Sequence, residues 1–118
     1  MAIVIGSNGL ANVDLIIPQK TSIYFTVVVK DEESGEVVDY SSATPYMKMV
    51  PKTGEPIDLD EFVTVAADKI SVSLPATSTT MPTGRYSWDL MMKVSNTQTD
   101  RICYGMTTIV DTYAMDGE

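Results

Sequence analysis

From Arg85 to Val94 the chain alternates: Tyr86, Trp88, Leu90, Met92 and Val94 are apolar, and of the residues between them only Met91 is. A period of two puts each set on its own side of an extended backbone, so 85–94 is predicted to be a strand with one buried face. Ile23, Phe25, Val27 and Val29 form one face of 21–31, and Tyr24, Thr26, Val28 and Lys30 the other, which predicts a strand covered on much of both sides. Met47 and Met49 alternate with Tyr46, Lys48 and Val50, and Ile70, Val72 and Leu74 with Ser71 and Ser73. Over 101–113 the set Ile102, Tyr104, Met106, Thr108 and Val110 opposes Cys103, Gly105, Thr107, Ile109 and Asp111, a weaker alternation that allows a bulge near Gly105.

The residues between these runs are turn formers. Glu32 to Glu36 joins the 21–31 strand to Val37–Tyr40, Lys52 to Pro56 closes the 45–51 strand, and Ser95 to Asp100 links two long C-terminal strands that should pair antiparallel. One helical turn is expected, between Pro75 and Pro82. Seven or eight short strands with turns about every 8–12 residues predict an all-β fold, an antiparallel immunoglobulin-like β-sandwich. Composition agrees: Val, Ile and Thr make 36 of the 118 residues against five Leu and seven Ala, a bias toward pleated strands. Residues 20–118 are expected to form this single domain. Residues 1–19 lie outside the core alternation, and two readings stay open for them: an arm that adds to a neighbour's sheet edge, or the sandwich's own edge strand.

Charge and chemistry then narrow the function. A net charge of −8 with scattered Lys and Arg argues against a nucleic-acid or polybasic membrane contact. With no histidine, the usual neutral-pH base and the Ser-His and Cys-His pairs are gone. The lone Cys103, in apolar surroundings, is read as a buried inert thiol, and no basic segment precedes an apolar run as a signal peptide would require. Asp31 to Glu36 does not fit a calcium loop, since Gly35 falls fifth rather than sixth and Ser42 stands where the closing acid belongs. Asp58 and Asp60 are a loop pair without an aromatic platform, a poor basis for glycoside hydrolysis. Tyr86 and Trp88 share the apolar face and are assigned to the core, as are Met47, Met49, Met92 and Met106. No catalytic, cofactor-binding or metal-binding residue is expected. The candidate partner-binding residues are Ile3, Val4 and Ile5 in the N-terminal segment, and Met91 beside Ile109, with Met81 also expected at the surface.

The segments 24–31, 34–41 and 46–49, then 70–74, Met81-Pro82-Thr83-Gly84-Arg85-Tyr86-Ser87-Trp88-Asp89-Leu90 and Gly105 to Val110, together resemble the small β-sandwich virion-protein family of tailed bacteriophages. That family includes the N-terminal domain of the baseplate upper protein and related tail-associated proteins. The resemblance covers about 90 residues, and Met81 to Leu90 is its most specific piece. It implies a non-enzymatic structural role in a tail, baseplate or neck, with other virion proteins as partners, homo-oligomeric rings among the assemblies, and localisation in a virion made in the host bacterial cytoplasm. A carbohydrate- or cell-surface-binding sandwich is the alternative.

Overall fold

The computed structural model describes residues 2–112. Among these residues nine strands build two sheets. β1 (Ala2–Gly6), β3 (Ile23–Lys30), β7 (Ile70–Leu74) and β6 (Val63–Val65) form the first, in the order β1-β3-β7-β6. The second runs β2 (Leu15–Pro18), β9 (Thr99–Val110), β8 (Gly84–Lys93), β4 (Thr44–Pro51) and β5 (Ile57–Asp58). Their inner faces meet in one core, with Phe25, Val27, Val29, Val72 and Leu74 from the first sheet and Met47, Met49, Trp88, Leu90 and Met92 from the second. Near the middle, Phe25 meets Trp88 edge to face across the sandwich, with ring centroids 6.3 Å apart. Tyr86 is also buried, and its hydroxyl donates to the Pro82 carbonyl at 2.6 Å, which ties the entry of β8 to the turn before it.

The expected strands at 21–31, 45–51, 70–74, 85–94 and 101–113 are present, and β8 pairs antiparallel with β9 as the linking turn implied. Several details differ. The sheets are mixed: β1 runs parallel to β3, and β2 parallel to β9. The chain goes from β1 straight to the other sheet, so neither strand follows its partner through a hairpin, and the antiparallel rule for short connections does not bind them. Leu15 and Ile17 are core residues, so the sandwich begins before residue 20. Two 3-10 turns occur where one helical turn was expected. Ala76–Ser78 lies between the prolines, whereas Asp60–Phe62 is set by the Asp58 side chain accepting the Asp60 N–H and by Phe62 N–H bonding back to Leu59 O. Val37–Tyr40 is held to β3 by a single bridge between Lys30 and Val37 rather than a ladder.

The largest correction concerns β9. Leu90 pairs with Cys103 but Met91 pairs with Arg101, leaving Ile102 unopposed. The bulge therefore sits at Ile102, not near Gly105, and it puts the odd residues after it on the inner face. Cys103, Thr107 and Ile109 are buried, while Met106, assigned above to the core, is 39% exposed. Ile109, assigned to a partner surface, has only 2% of its surface exposed. Met81 is buried as well, packed under the turn where the Gln19 side-chain amide donates to its carbonyl.

Candidate interaction surface

With the inner faces committed to the core, the outer faces and the edges are what the fold offers to other molecules. They differ in chemistry. On the first sheet the register sets Ala2 beside Thr26, Ser71 and Thr64 in one row, Val4 beside Val28 in the next, and Tyr24 beside Ser73 on the other side. No charged side chain stands within these paired rows; exposed Lys69, just before β7, ends the Val28 row, and Lys30 stands at the end of β3. Val4 and Tyr24 are 60% and 56% exposed. In a chain with twice as many acids as bases, these rows share with an interface core its lack of charge and, at Tyr24, an exposed aromatic ring.

The outer face of the second sheet is charged. Tyr104, Asp89, Lys48 and Asp58 form one row across β9, β8, β4 and β5. The Lys48 ammonium lies 3.2 Å from Asp58 and 3.0 Å from Asp60, so the second acid pair neutralises a lysine. Desolvation acts to lower the Lys48 pKa, but the hydrogen bonds its ammonium donates to these carboxylates, with their charge, leave it raised above the usual lysine value. Asp60 Oδ1 also accepts the Met47 N–H at 2.7 Å, which anchors the 3-10 turn to β4. The Arg101 guanidinium stacks over the Tyr104 ring, 4.4 Å from its centroid. Between these rows and the 12–14 segment lies a shallow depression of about 560 Å³, lined by Asp14, Lys48, Val50, Asp89, Tyr104 and Met106 among others.

The predicted site residues do not converge. Ile3 and Ile5 point inward from β1 and are half-buried; Val4 points outward. Met91 is half-buried on the outer face of the other sheet, beside Tyr46 and Arg101. Ile109 faces the core and cannot join it. Sequence reasoning missed Ile16, 72% exposed on β2, because it stands in an unbroken apolar run, and it missed Met106 because the bulge reverses its face. Tyr24, on a strand expected to be covered on both sides, is more than half exposed. Tyr86 and Trp88, both buried, provide no stacking surface for a sugar. Cys103 is enclosed, and burial together with the Asp89 charge pushes its thiol up to about 12. Asp31 caps its own turn, accepting the Ser34 and Glu33 N–H groups, which hold its carboxyl below the usual range. Among the described residues no group of three or more His, Cys, Asp or Glu side chains is arranged to hold a metal ion.

No family model matches the chain, and no curated protein matches it in sequence. Among solved structures it is similar to the N-terminal domain of phage TP901-1 ORF48, with a TM-score of 0.54 and 9% sequence identity over 92% of this chain and 95% of that one. The likeness is one of fold, and it runs nearly end to end in both. This architecture is thus one found in a phage protein.

Proposed function

We propose that this chain is a non-enzymatic structural component of a tailed-bacteriophage virion, a building block of the tail, baseplate or neck that joins other virion proteins through sheet edges and sandwich faces. The observation that carries the reading is the end-to-end likeness of fold to a phage protein domain. The distribution of charge supports it. The paired rows of one outer face carry no acid where a neighbour can cover them, and the acids lie on the opposite face, in hairpin tips and in loops, where they keep a sheet protein soluble before it docks. Against the other readings stand the burial of Trp88 and Tyr86, which leaves only tyrosines such as Tyr24 to stack on a sugar, and the engagement of Asp58 and Asp60 by Lys48.

The test is protein composition. Particles purified from a host carrying the gene, analysed by mass spectrometry, should contain the chain in a fixed ratio to other tail proteins, and disrupting the gene should give particles with incomplete tails. Complete, infectious particles that lack the chain would overturn the proposal.

A further inference from the structure

Among the described residues four strands bound the two sheets: β1 and β6 in one, β2 and β5 in the other. Three of them are blunted in ways that sheets use against strand addition. β5 has two residues and carries Asp58, β6 has three residues, and β2 ends in Pro18, which has no N–H to offer. β1 has none of these devices. Its five residues, Ala-Ile-Val-Ile-Gly, include no charge and no proline, and all five pair with β3, so the strand lies flat along the sheet and directs alternate N–H and C=O groups outward.

We infer that this edge pairs with β1 of a second copy of the chain, antiparallel about a two-fold axis at Val4, so that two four-stranded sheets become one of eight. The segment is complementary to itself. Centring the pairing on Val4 sets the two Val4 side chains together and places Ile3 beside the second copy's Ile5, which continues the row of half-buried isoleucines on the inner face. Charge also selects this arrangement. Two chains of net charge −8 approach only where their acids are kept apart. Among the described residues an acid meets β1 at Glu32, whose carboxylate sits beside Gly6 at one end of the strand and whose N–H donates to Ser7 Oγ. Antiparallel pairing puts the two Glu32 side chains at opposite ends of the seam, whereas parallel addition would set them side by side. The rows through Thr26 and Val28 bring no charge next to the middle of the seam, and Lys30, beside Gly6, stands like Glu32 at its end.

The pairing depends on this chain's own edge rather than on its place in a particle, so it and the virion reading fail separately. Sedimentation equilibrium of the full chain should give a species of twice 12.9 kDa, and hydrogen exchange should show amide protection within residues 3–6 that rises with protein concentration. Val4→Lys sets two ammonium groups face to face and should raise the dissociation constant at least about tenfold, with the circular dichroism spectrum unchanged. A chain that stays monomeric up to its solubility limit would overturn the inference. So would a dimer whose concentration-dependent protection appears elsewhere, a result the unaltered protein can give even if the variant does not fold.

Discussion

The indole N–H of Trp88 donates to the carbonyl oxygen of Val13 at 2.8 Å, through space that Gly105 leaves free by having no side chain. The 11–13 backbone runs beside β9, with Tyr104 N–H bonding to Ala11 O and Val13 N–H to Tyr104 O. At Val13 the carbonyl turns toward Trp88, and the Asp14 side chain takes the Met106 N–H at 3.0 Å in its place. An isolated tryptophan donor in a core would cost free energy, and this arrangement satisfies it with a backbone acceptor from the segment on the far side of β9.

Gly105→Ala should therefore be strongly destabilising. Its Cβ would overlap Val13 O, with the carbonyl carbon close behind, and both are backbone atoms that move only if the strand moves. We expect a loss of about 2–4 kcal/mol, from strain plus the broken Trp88 bond, measured by urea unfolding. A loss below about 0.5 kcal/mol would show that the 11–14 segment yields freely.

How far the sequence discloses this fold depends on whether local pattern or distant packing decides each element. β3, β4, β7 and β8 are legible because a strict alternation buries one face whatever the partner is, and the β8–β9 pairing follows from their connecting turn. β9 is legible as a strand but not in its facing, because one unopposed residue, Ile102, reverses every side chain beyond it. The parallel pairing of β1 and β2 has no local signal, being decided by which edges the rest of the chain leaves open. Gly105 stood out as an interruption, yet its use became visible only with Val13 and Trp88 beside it, far away in sequence. Of the candidate surface, Val4 was legible; the charge-free rows were not, since they need the register of four strands.

The reversal in β9 makes Ile109 and Met106 a matched pair. Ile109→Ala removes buried side-chain volume and should cost about 2–5 kcal/mol. Met106→Ala, on the exposed face three residues away, should stay within about 0.5 kcal/mol. Equal effects on the urea midpoint, or the opposite order, would mean that the bulge is not at Ile102.

Asp58 and Asp60 both touch Lys48 and both accept a backbone N–H, Asp58 the exposed one of Asp60 and Asp60 the partly buried one of Met47. Asp60→Ala should cost about 1–3 kcal/mol because that amide loses its acceptor. Asp60→Asn keeps an acceptor oxygen and should lose less. Asp58→Ala should cost less than Asp60→Ala, since both its ion pair and the Asp60 N–H it accepts are exposed and water can replace them. Thermal melts of the three variants check the order.

Stability should fall on both sides of a broad neutral plateau, for different reasons. Asp31, Asp39 and Asp58 have carboxyls held below their ordinary value: Asp31 by Ser34 and Glu33 N–H groups, Asp39 by the Ser41 hydroxyl and N–H, Asp58 by the Asp60 N–H and Lys48. The folded chain binds their protons less readily than the unfolded one, so their contribution is present above the ordinary carboxylate pKa of 3.8 and is lost as pH falls through the depressed values. The alkaline side belongs to buried acids. Burial, with Asp89 adding, raises the Cys103 thiol from 9.0 to about 12. Burial and the hydrogen bond to Asp100 raise the Tyr40 phenol above its ordinary 10.0. Both groups ionise first in the unfolded chain, so stability is whole below pH 9 and declines as pH rises beyond it. Cys103→Ala should remove the earlier part of that decline, moving its onset toward pH 10, where Tyr40 takes over. Urea midpoints measured from pH 7 to 11 test this through the slope, which a change in packing alone leaves untouched. An unchanged slope in the variant would mean that the Cys103 thiol is not held protonated by the fold.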